Sequence, residues 1–89
     1  MTAYSMVIVG KVQGVFFRTY AKQVADRLGL KGWVKNMGDG SVSVHAEGET
    51  DTLKEFEEWC RRGPPSAKVE DVRCDAAEEE GYKGFYIRQ

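Results

Sequence analysis

Eighty-nine residues suffice for one compact core, so residues 1–89 are expected to form a single domain. Thirteen Lys and Arg against fourteen Asp and Glu leave a formal net charge of −1, which provides no general basic surface for a nucleic-acid backbone or an anionic membrane; any anion site has to be local. Two cysteines without CxxC spacing, Cys60 and Cys74, exclude a disulfide-built mini-domain, and the apolar stretch 6–9 is too short for a secretory leader or a membrane span, so a cytoplasmic protein with reduced thiols is expected.

Residues 4–10 set Met6 and Ile8 against Val7 and Val9, predicting an inner strand covered on both faces. After an irregular stretch around Gly14, the residues Phe17, Tyr20, Ala21, Val24, Ala25 and Leu28 recur at helical spacing, the apolar stripe of an amphipathic helix. Gly29 ends that helix as a left-handed residue, Leu30 packs back on its last turn, and residues 32–35 continue as a strand. The turn-rich run Asn36-Met37-Gly38-Asp39-Gly40 leads into Val42, Val44 and Ala46 alternating with Ser41, Ser43, His45 and Glu47, which predicts a β-hairpin with one wet face and His45 at the surface.

Thr50, Asp51 and Thr52 compete as N-cap of a second helix, Thr52 with Glu55 forming a capping box, and Leu53, Phe56 and Cys60 mark its buried stripe beside Trp59. Gly63-Pro64-Pro65 ends this helix, and Val72, Cys74 and Ala76 alternate within a strand at 69–76. The acidic run Glu78, Glu79, Glu80 reads as a solvated loop, and Phe85 and Ile87 alternate with Tyr86 and Arg88 in a last short strand. The order β-α-β-β-α-β with one additional strand is that of an α+β, ferredoxin-like split β-α-β sandwich, with two helices on one face of an antiparallel sheet. Such a fold hosts many functions and assigns none.

Chemistry concentrates between the first strand and the first helix, in Gly10-Lys11-Val12-Gln13-Gly14-Val15-Phe16-Phe17-Arg18. A glycine-containing turn delivers the chain to a helix start, where unpaired N–H groups and the positive end of the helix dipole suit a phosphate, and Arg18 adds a planar charged fork. Val15 and Phe16 follow Gly14 where a Walker loop needs Lys and then Ser or Thr, and the loop contains no cysteine to serve as a phosphatase nucleophile. His45 has no second histidine or paired cysteines with which to build a metal site. On residue pattern alone the simpler readings are Arg18 as a surface arginine, Asn36 as a turn residue tolerant of left-handed geometry, and Lys11 and Lys35 as strand-end lysines.

That nine-residue run resembles the signature of the acylphosphatase family: a glycine, a basic residue, Val-Gln-Gly-Val, a variable position, Phe and Arg. Gly29-Leu30-Lys31-Gly32-Trp33-Val34-Lys35-Asn36, followed by Asp39-Gly40-Ser41-Val42, is similar to the family's second motif, whose asparagine falls on Asn36. Matches at Gly48, Phe56, Trp59, Gly63-Pro64 and Gly84-Phe85-Tyr86-Ile87 extend the resemblance over essentially the whole chain. It implies metal-free, cofactor-free hydrolysis of acyl phosphates to carboxylate and inorganic phosphate, with Arg18 and Asn36 as the functional side chains. A phosphate cradle is implied on the backbone of Gln13, Gly14, Val15, Phe16 and Phe17 beside Arg18. Expectations that follow are inorganic phosphate as product and inhibitor, no nucleic-acid or membrane partner, and a monomer. Two alternatives stand beside this one: a non-catalytic anion-binding module, and an RNA-binding module suggested by Lys83-Gly84-Phe85-Tyr86-Ile87.

Overall fold

A computed structural model describes residues 1–89. Its elements are β1 (Thr2–Lys11), α1 (Phe17–Leu28), β2 (Lys31–Asn36), β3 (Val42–Gly48), α2 (Thr50–Arg62), β4 (Lys68–Ala77) and β5 (Phe85–Arg88). They build one sheet in the order β4-β1-β3-β2-β5. The pairs β4/β1, β1/β3 and β3/β2 are antiparallel, whereas β5 runs parallel to β2, so the sheet is mixed rather than wholly antiparallel. This direction puts the C-terminal ends of β1, β2 and β5 together at one end of the sheet.

Both helices pack on one face, α1 over β2 and β5 and α2 over β4 and β1. Met6, Ile8, Val34, Val42, Val44, Val72 and Phe85 of the sheet meet Phe17, Ala21, Val24 and Ala25 of α1 and Leu53, Phe56 and Cys60 of α2. Each Leu- or Phe-sized side chain removed from water there contributes about 1.5–3 kcal/mol. Gly29 closes α1 at φ 73°, with its N–H donating to Asp26 O and the Leu30 N–H to Ala25 O, and Leu30 is buried. Cys60 and Cys74 are both free thiols; burial pushes the Cys60 thiol far up and Cys74 up to about 11, so neither is a thiolate at neutral pH. No helix is long and apolar enough to cross a membrane.

Four further expectations need correction. Val7 and Val9 are only half-buried, because no helix covers the second face of the sheet and β1 is therefore not sandwiched. Tyr20 belongs to the periodic stripe of α1 but lies at its margin, 42% exposed. The N-cap of α2 is Glu49 in extended conformation with no side-chain cap, so Thr50 to Thr52 all lie inside the helix, and the Thr50 hydroxyl is taken up by that of Thr2 at 2.9 Å. The largest departure is on β3, where His45 and Glu47 are only 4% and 2% exposed. Alternation placed both on the open face correctly, but the chain between β4 and β5 returns across that face and buries them.

Candidate active site

Asn36 is the last residue of β2 and stands opposite Val42, which is fully buried on the helix side. Residues directly opposite in an antiparallel pair share a face, so Asn36 projects toward the start of α1. The turn behind it is tightly held. Met37 N–H donates to Ser41 O at 2.8 Å and Gly40 N–H to Met37 O at 3.2 Å. Asp39 Oδ1 accepts from the Ser41 hydroxyl at 2.6 Å and the Ser41 N–H at 3.0 Å, two bonds that hold its carboxyl below the usual range.

Gln13 ties the opposite wall to this turn. Its Nε2 donates to Met37 O at 2.7 Å and to Ser41 O at 2.9 Å, fixing the loop after β1 relative to Asn36. The same loop contains two left-handed residues, Gly14 at φ 73° and Phe16 at φ 61°, and Phe16 is the one non-glycine residue of the protein with positive φ. A phenylalanine there costs roughly 1–2 kcal/mol relative to ordinary backbone, and with its side chain 74% exposed no core packing offsets that cost. Strain of this kind persists where surrounding structure imposes it, commonly at functional sites.

The imposed shape gathers donors. No backbone N–H in residues 13–19 finds an acceptor within the protein, the N-cap contributes no side-chain bond, and the first turn of α1 carries no acidic residue. Alternating left-handed positions curl such a segment into a concave nest whose N–H groups suit an anion. The protein's one cavity lies here, about 270 Å³ in volume, lined by Val12, Gly14, Phe16, Phe17, Arg18, Thr19 and Asn36. That size is at the small end of ligand sites, matching a phosphoryl group and a few waters. Arg18 is fixed from the side: its Nη1 donates to the carbonyl of Arg88, the last residue of β5, at 2.9 Å. The remaining guanidinium N–H groups are left for other acceptors.

A family model described as acylphosphatase matches residues 4–87. The chain belongs to the acylphosphatase family. It is 42% identical to an acylphosphatase of Nocardioides sp. over 98% of its own length and 88% of that protein's. Its fold is similar to the crystal structure of acylphosphatase from Bacillus subtilis, with TM-score 0.97, 39% identity and full coverage of both chains. It is also similar to part of full-length HypF, solved in a phosphate- and nucleotide-bound form, at TM-score 0.92 and 30% identity over 99% of this chain and 12% of that one.

Of the residues singled out from the acylphosphatase signature, Gly14, Phe16, Phe17, Arg18 and Asn36 line one cavity, whereas the side chains of Gln13 and Val15 point elsewhere. Val12, a member of the signature run that was given no role, joins the wall, as does Thr19, which lies outside that run. Thr19 was legible in principle, as the third helical residue of any helix that begins at Phe17. The Arg88 carbonyl was not, because no side-chain pattern marks a backbone acceptor seventy residues away.

Proposed function

We propose that this acylphosphatase-family chain hydrolyses the carboxyl–phosphate bond of acyl phosphates by direct in-line attack of water, with the N–H groups of residues 13–18 and the Arg18 guanidinium holding the phosphoryl oxygens and Asn36 orienting the water. The observation that carries this reading is one small cavity bounded by Arg18, by Asn36 and by backbone donors that have no acceptor in the protein.

Phosphoryl transfer to water needs stabilised charge on the equatorial oxygens, a positioned nucleophile and a competent leaving group. Backbone donors fixed before the reaction, together with Arg18, meet the first need, each worth on the order of 3 kcal/mol in the transition state. The Asn36 carboxamide carries both donor and acceptor atoms, so it can hold a water by lone pair and proton together. Its place at the end of β2, braced by the Asp39–Ser41 turn and by Gln13, keeps it facing the cradle. The water oxygen bonds to phosphorus as the bond from phosphorus to the acyl oxygen breaks. The carboxylate leaves with that electron pair and the water proton passes to solvent. A carboxylic acid has a pKa near ~4, so its anion departs without a protein acid.

In a chelator-treated assay, benzoyl phosphate should yield benzoate and inorganic phosphate, with phosphate itself competing. Arg18→Ala should lower kcat/KM about 10³-fold and weaken phosphate inhibition, whereas Asn36→Ala should lower kcat about 10²-fold and leave phosphate affinity within about twofold. A requirement for added divalent metal, or equal loss of phosphate binding in both variants, would overturn the assignment. Binding without turnover would favour the non-catalytic module, and a salt-sensitive shift of single-stranded RNA would favour the nucleic-acid reading. The proposal takes the protein as cytoplasmic, with no nucleic-acid or membrane partner, and as a monomer, the last of which light scattering of the pure protein would check.

A further inference from the structure

The open face of the sheet carries a polar and aromatic constellation that the reaction above does not use. Glu47, at the far end of β3, accepts hydrogen bonds from the backbone N–H groups of Glu80 and Gly81, the latter at 3.2 Å, and so pins the loop between β4 and β5 to the sheet. His45 Nε2 lies 2.7 Å from Glu47 Oε2, and because an ionised carboxylate only accepts, this nitrogen carries the proton. The pinned loop presents Tyr82, whose ring packs against His45 with centroids 5.6 Å apart, while Trp33 of β2 stacks with His45 at 6.2 Å. The Arg88 guanidinium completes the arrangement, 5.1 Å from the Trp33 ring and 5.9 Å from that of Tyr82, both within cation–π range.

Arg88 therefore faces two ways. Its side chain is held on the open face by Trp33 and Tyr82, and its carbonyl accepts the Arg18 Nη1 proton at the catalytic end of the sheet. β5 is only four residues long, lies at the sheet edge, and pairs with β2 alone, so little else fixes its last residue. Three of its four residues are exposed, with Phe85 the single buried anchor at its beginning.

We propose that the Trp33–Arg88–Tyr82 stack, latched to the sheet by Glu47, is a positioning device for Arg18: it sets the Arg88 carbonyl and thereby the angle at which the guanidinium meets the phosphoryl group. The inference rests on the reading of Arg18 as the phosphate anchor. None of the residues in the stack touches substrate, and each acts through the Arg88 carbonyl.

The probe is Tyr82→Ala, a neutral substitution in a loop that leaves the sheet and the cavity wall intact. KM for benzoyl phosphate and the inhibition constant of inorganic phosphate should both rise about 3–10-fold, with kcat changed less than twofold, and Tyr82→Phe should restore them because the ring face is kept. Arg88→Met, which retains the carbonyl and the apolar stem, should reproduce the loss. A purely structural role would show the same change in any background. A device acting through Arg18 should show none in Arg18→Ala, since non-additivity marks residues that work through one another. Unchanged phosphate affinity in both Tyr82→Ala and Arg88→Met, or a full further loss on top of Arg18→Ala, would overturn the inference. If Arg18→Ala itself leaves phosphate affinity intact, the reading of the active site fails instead.

Discussion

Backbone N–H groups lacking a secondary-structure partner gather at two opposite ends of this molecule, and the protein treats them differently. At the loop pinned to the open face, the N–H groups of Glu80 and Gly81 are answered by the chain's own carboxylate, Glu47, backed by His45, and no buried side-chain polar atom in the protein lacks a partner. At the start of α1, the donors of residues 13–19 meet no carboxylate, no capping hydroxyl and no carbonyl, and the adjacent charge, Arg18, is positive. An internal anion makes a structural joint. A positive nest without one leaves its donors for a ligand or water to answer, which is the basis of the proposed phosphate site.

The sharpest way to break that contrast is to give α1 the anion it lacks. Thr19 lines the cavity, is exposed, and occupies the third helical position, where an acidic residue favours the helix. Thr19→Asp should therefore raise the melting temperature slightly while lowering kcat/KM and phosphate affinity by about 10–100-fold, the effect of a like charge some ~6 Å away at an intermediate dielectric. Thr19→Asn keeps the shape without the charge and should lose far less. Retention of tight phosphate inhibition in Thr19→Asp would show that the donors at the helix start do not hold the anion.

The reverse operation removes the anion from the other end. Burial pushes the Glu47 carboxyl up, but the N–H of Glu80, the His45 ring and the N–H of Gly81 together outweigh it, so its pKa lies below the ordinary value of 4.5. A group whose folded pKa is depressed contributes stability that is fully present above its unfolded pKa and is lost as pH falls through the folded one. Thermal melts from pH 7 to pH 3 should show an acid-side loss that Glu47→Gln removes, along with about 1–2 kcal/mol of stability at neutral pH. Glu80, 3.9 Å from His45 Nδ1, and Lys31, opposite Glu47 on β2, are the other charges nearby, and Glu80→Gln should leave the acid-side slope largely in place. An unaltered pH profile in Glu47→Gln would remove the carboxylate latch from the account.

These two ends also differ in how far they could be read from sequence. The helix stripes, the Gly29 stop and the segment with Gly14 were legible because local periodicity and backbone tolerance dictate them, whereas the roles proposed for Asn36 and Arg18, which line one cavity, come from motif resemblance. His45 and Glu47 were misjudged as wet, since alternation reports which face of a strand a side chain takes and not what later chain comes to lie over that face. The parallel pairing of β5 with β2 has the same origin: it depends on the path of residues 78–84, whose acidic composition gave no sign that their backbone would be bonded to a glutamate more than thirty residues earlier. Capping at α2 failed for a different reason. Thr50, Asp51 and Thr52 are all chemically able to cap, and the extended Glu49 won because β3 runs straight into the helix through Gly48, which packs against Leu30.

The start of α2 is the natural control for the start of α1, since both lack a side-chain cap and differ in first-turn charge. Asp51 stands in the first turn of α2 and Glu49 precedes it, so that helix dipole is already opposed by the chain's own carboxylates. Asp51→Ala should cost about 0.3–1 kcal/mol, a fall of a few degrees in melting temperature that shrinks as salt is added, with no change in catalysis. The Thr19→Asp gain at α1 should be of the same size and equally sensitive to salt, because the same helix-end field is being neutralised. If Asp51→Ala is silent while Thr19→Asp stabilises, helix-end charge cannot be the common cause. The anion binding proposed for the α1 start would then belong to the backbone nest and Arg18 alone.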